Sequence, residues 1–233
     1  MHILEESYSI SPIAHIRCDL KTKFGVPRQS GIVPTLSGTV VFEPEYRVRE
    51  SLRGMEGFSH IWLIWSFSEA RRAGFSPTVR PPRLGGNERM GVFATRSPFR
   101  PNSLALSCVR LCALRETASE GIVLDIAGAD LMDGTPIYDI KPYLPYADSI
   151  PDASCGFAPD SGAVLPVRFA REELAAVLPP EKLETLVGLL AQDPRPRYRT
   201  PDAEHVYGML FAQYDVRFTV SDAGVTVTDI AKR

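Results

Sequence analysis

Alternating and clustered apolar positions divide the first two thirds of the chain into short strands. The segment from Tyr8 to Arg17 alternates loosely through three isoleucines and predicts an opening strand that is broken near Pro12. The run from Phe58 to Phe67 is rich in Ile, Trp and Phe, and its short length favours a buried central strand over a helix. Further strands are predicted over residues 38–43, 90–95, 104–114, 121–127 and 137–140.

Only one helix signal interrupts these strands. Residues 45–52 follow Pro44 and precede Gly54, an arrangement typical of a short helix. Six or seven strands with one weak helix do not give the regular alternation of a doubly wound α/β fold. No G-x-G-x-x-G motif follows a strand, so a Rossmann nucleotide site is not supported. The pattern from Tyr8 to about Tyr146 therefore predicts an antiparallel barrel or sandwich.

The last third of the chain has a different pattern. Residues 145–166 are dominated by Pro, Asp, Ser, Gly and Ala and are expected to form a loop. Residues 180–192 carry an apolar stripe at helical spacing, and two alternating segments, 214–220 and 225–230, flank a hairpin turn. We therefore expect a mainly β chain with an antiparallel β-barrel domain over residues 1–146, a linker over 147–166 and a small α+β domain over 167–233.

Composition narrows the class of protein. The chain has 233 residues, of which 44% are hydrophobic and 23% charged, as in soluble globular proteins. No apolar run approaches the ~20 residues that cross a bilayer, and the acidic N-terminus does not resemble a secretory signal. The four cysteines form no C-x-x-C pair, and Cys108 and Cys112 are expected to be buried free thiols. These features predict a cytoplasmic protein without a membrane or metal site.

An arginine-rich loop stands out against the overall charge of −2. From Arg71 to Arg100 there are seven arginines and one acid, a local balance of +7 − 1 = +6. Guanidinium groups match phosphate and carboxylate oxygens, and the glycines and prolines between them allow close approach and stiffen the loop. The loop therefore predicts an anionic partner. The alternative is that these arginines pair with acids elsewhere in the fold.

Two further stretches carry candidate chemistry. Asp130 to Tyr143 contains three acids, one lysine and two tyrosines around a Gly-Thr-Pro turn. On a strand, Asp139, Lys141 and Tyr143 share one face, which can serve acid–base chemistry or ligand orientation, or can simply be a polar outer face. The Pro27-Arg28-Gln29 turn is either a surface turn or a ligand loop.

Together these stretches resemble the TrmO family (TsaA or YaeB type), S-adenosylmethionine-dependent methyltransferases that act on position 37 of tRNA. The resemblance spans nearly the whole chain. One departure is at Asn102, which is followed by Ser103-Leu104-Ala105 where the family commonly has a glycine. The matching segments, in order, are residues 27–29, 57–60, 78–87, 91–97, 99–102, 130–143, 192–196 and 222–224.

The resemblance implies an antiparallel β-barrel, a small C-terminal domain and a homodimer. It also implies methylation of N6 in N6-threonylcarbamoyladenosine at position 37, in the anticodon loop of tRNA, with S-adenosylmethionine as the cofactor. The implied cofactor-binding residues are Pro27, Arg28, Gln29, His60, Ile61, Arg96, Leu106, Gly128, Ala129, Asp130 and Leu131.

The acceptor nitrogen belongs to a urea, which is a poor nucleophile until it loses its proton. Asp133, Asp139 and a Tyr143 phenolate are alternative bases. The substrate adds a threonyl carboxylate to the tRNA phosphates, and a tyrosine can stack on a base of the single-stranded loop. The substrate-binding candidates are Arg83, Arg100, Lys141, Tyr143, Arg195, Arg197 and Tyr198.

Two other classes of protein compete with this hypothesis. A non-catalytic RNA-binding β-barrel explains the arginines without a cofactor. A small-molecule hydrolase built on Asp130, Asp133 and Asp139 is disfavoured, since the sequence has no Ser-His-Asp order and no G-x-S-x-G motif.

Overall fold

The structure, a computed structural model, describes residues 8–67, 76–85, 87–160, 162–195 and 201–233. Over these residues the chain is mainly β, as predicted. The strands of the first part are β1 (Ala14–Cys18), β2 (Ser37–Phe42), β3 (His60–Ser66), β4 (Thr78–Val79), β5 (Met90–Gly91), β6 (Leu104–Thr117), β7 (Gly121–Ala127) and β8 (Pro136–Pro142).

Six of these strands close into a ring in the order β1-β2-β7-β6-β3-β8. Every pairing around the ring is antiparallel, and the last strand meets the first through Ala14 and Ile137. The short strands β4 and β5 pair with each other outside the ring, within the arginine-rich loop.

Strand β3 shows how the ring separates two faces. Ile61, Leu63 and Trp65 are buried inside it, whereas the alternate residues Trp62 and Ile64 are only partly buried on the outside. The prediction of a buried central strand is therefore confirmed for its position between β6 and β8 and for its inner face. It was wrong for the outer face, which no layer of this chain covers as far as the structure describes it.

Two other local predictions were also wrong. Residues 90–95 form a strand only at Met90–Gly91 and then turn into a 3-10 helix, Val92–Ala94. Residues 45–52 form two 3-10 turns, Pro44–Tyr46 and Arg49–Leu52, instead of one helix. Neither turn has a side-chain cap, and a segment this short does not offset the cost of helix nucleation.

The second part of the chain contains a four-stranded sheet and two α-helices, of which the first is a single turn. Its elements are α1 (Pro145–Asp148), β9 (Val167–Phe169), α2 (Pro180–Ala191), β10 (Asp202–Phe211), β11 (Tyr214–Ser221) and β12 (Gly224–Lys232). The sheet order is β10-β11-β12-β9, with β9 parallel to β12. Helix α2 and the β11–β12 hairpin were predicted. The elements α1, β9, β10 and the 3-10 helix Glu172–Val177 were not, and α1 lies where a loop was expected.

Residues 19–36, which connect β1 to β2 and are called the connecting segment below, lie against the second part of the chain. Leu20 forms a β-bridge with Phe211. The Phe24 ring stacks 6.3 Å from the rings of both Tyr207 and Phe218. At position 25, where φ is +92°, a Cβ would lie 2.2 Å from the sulfur of Met209, so this contact requires glycine. Buried residues of the ring, the connecting segment and the second part consequently form one hydrophobic cluster.

The structure bears on two expectations from the sequence, the absence of a membrane span and the state of the cysteines. Among the described helices, none combines the length and the apolar character of a membrane span. All four cysteines are free thiols. The expectation that Cys112 is buried was wrong, because its side chain projects from the outer face of β6, and Cys108 is only partly buried.

Phe211→Ala tests the shared core. Phe211 is fully buried, so its truncation is expected to lower the free energy of unfolding by about 3–5 kcal/mol. Val206→Ala, on the same strand at a position that is 51% exposed, is the matched control and should change stability little. Denaturant unfolding followed by tryptophan fluorescence and circular dichroism provides the measurement. Separate transitions for the two parts of wild-type protein would contradict a shared core.

Candidate functional site

The end of the connecting segment is held against the loop that follows β7. The Gly31 amide donates to the Gly128 carbonyl at 2.8 Å, and the Gly128 amide donates to the Leu36 carbonyl at 2.8 Å. Gly128 has φ +81°, and a Cβ there would touch the Gly31 backbone at 3.5 Å. These contacts bring the predicted segments 27–29 and 128–131 together.

Arg96 joins the same cluster from the arginine-rich loop. One of its guanidinium nitrogens donates to the side-chain carbonyl of Gln29. The amide nitrogen of Gln29 donates in turn to the Arg28 carbonyl at 2.5 Å. Arg96 itself is exposed, so one end of this hydrogen-bonded chain faces solvent.

Asp130 provides the acidic group of the cluster. Ser107 Oγ donates to Asp130 Oδ1 at 2.5 Å, and Trp65 Nε1 donates to Ser107 Oγ at 2.9 Å. Burial raises the pKa of Asp130, while the Ser107 hydroxyl, the backbone N–H groups of Asp130 and Ser30 and the charge of Arg96 act to lower it. The cluster thus contains a largely buried carboxylate whose pKa is influenced by the charge of the Arg96 guanidinium.

Trp65 and Ser107 were not among the predicted site residues. Ser107 is 1% exposed and Trp65 is buried, so both look like core residues. The sequence contains one indication of their pairing, a serine within an apolar strand. A buried indole N–H needs an acceptor, and such a serine can provide it.

Two predicted cofactor residues lie elsewhere, on the outer face of the ring. Leu106 is 50% exposed and pairs with Ile64 across the β3–β6 ladder, while His60 pairs with Arg110. Four residues of a strand separate His60 from Ile64, which corresponds to roughly 13 Å. Ile61, which was also predicted to bind the cofactor, is fully buried inside the ring.

His60 belongs instead to an aromatic group on that outer face. The Tyr143 ring lies 6.2 Å from the His60 ring and 5.8 Å from the Trp62 ring. The Tyr143 amide also donates to the His60 carbonyl at 3.0 Å. The structure therefore places His60 and Leu106 on this outer face and Ile61 inside the ring. The other predicted cofactor residues lie in the group formed by residues 27–31, Arg96 and residues 128–131, which is called the loop cluster below.

The predicted anion-binding residues of the first part have partners within the chain. Arg83 pairs with Asp160. Arg100 donates to the Thr95 carbonyl at 2.7 Å, and Lys141 pairs with Asp139 at 2.9 Å. These contacts orient the cations and agree in part with the alternative that the arginines serve the fold. Arg197 and Tyr198 lie outside the described residues.

The candidate bases differ in their surroundings. Asp133 accepts from the Cys18 amide at 2.8 Å and from Lys21 Nζ at 2.7 Å, so both oxygens fasten the end of β1. Asp139 faces outwards with Lys141. Asp130, Asp133 and Asp139 thus serve three different places, and no group of three metal-ligating side chains occurs among the residues that the structure describes.

Arg195 is largely buried. Its Nε donates to both carboxylate oxygens of Asp193 at 2.9 and 3.1 Å, and the Arg195 side chain is 13% exposed. The Asp193 carbonyl accepts from Arg28 Nη2 at 3.3 Å. The predicted contact of Arg195 with tRNA phosphate stays a prediction. In the structure Arg195 binds Asp193, whose carbonyl in turn accepts from Arg28.

Comparison with known proteins gives a consistent result over both parts of the chain. The family model of the tRNA-methyltransferase O N-terminal domain matches residues 15–149, and that of the TrmO C-terminal domain matches residues 163–233. A protein of Escherichia coli K12, named tRNA (adenine(37)-N6)-methyltransferase, is 42% identical over 97% of this chain and 99% of its own length.

Two comparisons with Pseudomonas aeruginosa proteins agree with this result. One protein, named putative S-adenosylmethionine-dependent methyltransferase RcsF, is 39% identical over 91% of this chain and 92% of its own length. A crystal structure of TrmO superposes with a TM-score of 0.77 at 33% identity, covering 97% of this chain and 99% of that one. From both family models and the full-length relatives, the chain belongs to the tRNA-methyltransferase O family.

Proposed function

We propose that this protein is an S-adenosylmethionine-dependent methyltransferase that modifies N6 of adenosine 37 in tRNA, with N6-threonylcarbamoyladenosine as the acceptor. The observation that carries the proposal is the convergence of Gln29, Arg96 and Asp130 at one cluster, in a chain of this family. A purely RNA-binding protein has no need of a buried hydrogen-bonded chain behind an acid. The closed ring is, on this proposal, the antiparallel barrel on which the site is built, with domains at 1–146 and 167–233.

The cluster suits the polar groups of S-adenosylmethionine. The carboxylate of S-adenosylmethionine is complementary to the Arg96 guanidinium, and the ammonium of S-adenosylmethionine is complementary to the Asp130 carboxylate. When bound, S-adenosylmethionine supplies a methyl group that is carried on a sulfonium. The protein then has to hold the acceptor nitrogen in line with that methyl group, and the rigid contacts of Gln29 and Gly128 serve this orientation.

Methylation replaces the N6 proton, so the site also has to accept one proton. Asp133 is occupied by the Cys18 amide and Lys21 and is assigned to holding β1. Asp139 and Tyr143 lie with Lys141 and His60 at the outer face, which favours these two groups over Asp133.

The threonyl carboxylate and the phosphates of tRNA require cations. Because the chain has a net charge of −2, RNA must be met by a local basic surface, and the arginine-rich loop provides it. We assign the carboxylate to Arg83, Arg100 or Lys141, and the anticodon loop to Arg197 and Tyr198. A tRNA substrate implies a cytoplasmic location.

The outer face of β3, β6 and β8 supports a homodimer. Leu104 and Leu106 are exposed there, beside the partly exposed Trp62 and Ile64. A contiguous apolar patch of this kind typically marks an interface. If the outer face of one protomer meets the loop cluster of its partner, the two groups of cofactor residues, including His60 and Leu106, join into one site.

Methyl transfer to tRNA tests the proposed function. Purified protein with labelled S-adenosylmethionine should methylate tRNA that carries threonylcarbamoyl at adenosine 37, detected as the methylated nucleoside by mass spectrometry. Without that group, kcat/KM should fall by roughly 10–100-fold, the value of one charge-assisted hydrogen bond. Lys141→Ala should reduce this discrimination, whereas Arg49→Ala, at an exposed cation outside the cluster, should not. Equal methylation of both tRNAs by the wild type would contradict carboxylate recognition.

The pH dependence of cofactor binding tests the role of Asp130. Its ionised form accepts from Ser30 and attracts Arg96, so affinity for S-adenosylmethionine should fall as the pH drops through its pKa. Because burial raises that pKa, the loss should begin above the ordinary aspartate range near ~4.

Ser107→Ala removes a group that lowers the pKa of Asp130. The loss of S-adenosylmethionine affinity at low pH, called the acid limb below, should therefore begin at a higher pH. Thr185→Ala removes another buried hydroxyl, on α2, which donates to the Thr35 and Glu181 carbonyls, and it should leave the limb in place. Calorimetric titrations across the pH range provide the measurement. An unshifted limb in Ser107→Ala would show that Asp130 does not control binding.

Light scattering tests the dimer. The wild type at micromolar concentration should have twice the mass of one 25.7 kDa chain. Leu104→Glu places a charge on the proposed interface and should give monomers that bind S-adenosylmethionine weakly. Val164→Glu, at another exposed apolar position, is the control. A wild-type mass near 25.7 kDa would refute the dimer.

A further inference from the structure

Asp193 adopts a backbone conformation that is uncommon for its residue type. It follows α2 and has φ +52°, in the left-handed region that glycine and asparagine adopt most readily. Its amide donates to the Leu190 carbonyl at 3.1 Å, which ends the helix. The reversal of the chain at this residue turns its carbonyl away from the helix and towards Arg28.

The side chain of Asp193 is held by an ion pair. It is 9% exposed, and both of its oxygens accept from Arg195. A buried carboxylate and a nearly buried guanidinium stabilise each other only as a pair, since either one alone would be left desolvated. Arg195 therefore supports Asp193.

From Asp193 the contacts continue into the cofactor cluster. Its carbonyl accepts from Arg28, the Arg28 carbonyl accepts from Gln29, and Gln29 accepts from Arg96. Pro27 and Arg28 on one side, and Gln192 and Asp193 on the other, line a pocket of about 370 Å³. The end of α2 thus forms a wall against the loop that the cofactor is expected to touch.

We propose that Asp193 is a positioning residue: held in its left-handed conformation by Arg195, it fixes Arg28 and thereby the Pro27–Gln29 loop in the shape that binds S-adenosylmethionine. The inference rests on the proposed function and adds to it a role for the C-terminal part of the chain. That part sets the affinity for the cofactor even when no tRNA is present.

Three substitutions separate the contributions of Asp193. Asp193→Asn keeps the preference for the left-handed conformation and an acceptor for Arg195, but removes the charge. Asp193→Gly keeps only the conformation, and Asp193→Ala removes both. Affinity for S-adenosylmethionine, measured by calorimetry on the full-length protein without tRNA, should fall in the order wild type, Asn, Gly, Ala. The Ala variant should bind about tenfold more weakly, equivalent to roughly 1.4 kcal/mol.

A control is needed because Asp193 also ends a helix. Lys182, on the same helix, pairs with Asp19 in the connecting segment and does not touch the cofactor cluster. Lys182→Ala should lower the melting temperature while leaving the affinity for S-adenosylmethionine unchanged. In steady-state methyl transfer, the Asp193 variants should raise KM for S-adenosylmethionine and keep kcat at saturating cofactor, since the loop is positioned and no reacting group is lost.

The outcomes are distinct. Wild-type affinity in the Asp193 variants overturns the inference, and so does an equal loss in Lys182→Ala, which would reveal a general loss of packing. If Asp193→Ala does not fold, Asp193→Asn and Asp193→Gly decide the matter, because their backbone preference is retained. Failure of the wild type to bind S-adenosylmethionine would instead reject the proposed function itself.

Discussion

Packing of the connecting segment between the ring and the C-terminal sheet is the constraint on which the rest of this structure depends. The segment has little regular structure of its own, and beyond the bridge of Leu20 with Phe211 it pairs with no strand in the described residues. Its shape is set by Leu20 against Phe211, Phe24 against Tyr207, and the tight approach of Gly25 to Met209. The Pro27–Gln29 turn, which has no secondary structure of its own, is thus held in place by the apolar burial of the residues that precede it.

Polar contacts then complete what burial begins. The loop cluster joins groups from distant places in the sequence. In the described residues no buried side-chain nitrogen or oxygen lacks a hydrogen-bond partner. Two series of hydrogen bonds reach the cluster. One comes from the ring interior through Trp65, Ser107 and Asp130. The other comes from the C-terminal part through Arg195, Asp193 and Arg28. A buried polar group left without its hydrogen bond in either series would raise the free energy of the folded state. The two series of hydrogen bonds therefore favour a single arrangement of the cluster.

The sequence predicted the parts of this architecture that have a local signal. The apolar stripe of α2 and the turn at Gly224 follow from spacing and residue type. The strands of the ring were predicted to within a few residues, except that β1 begins at Ala14 and not near Tyr8. The resemblance to a family supplied the site residues, which composition did not. What escaped prediction depends on contacts between distant segments. Ser107 looks like a core position and Arg195 like a surface cation until their partners are known.

The closure of the ring has a consequence for how the chain folds. β1 finds β2 early, but its other neighbour, β8, lies more than a hundred residues later, at the pairing of Ala14 with Ile137. Contacts of such long range make folding slow. On the ribosome, the ring cannot close until β8 has emerged, and Leu20 then waits for Phe211. The nascent chain must therefore carry uncovered strand edges and apolar side chains through most of its synthesis, a state in which aggregation competes with folding.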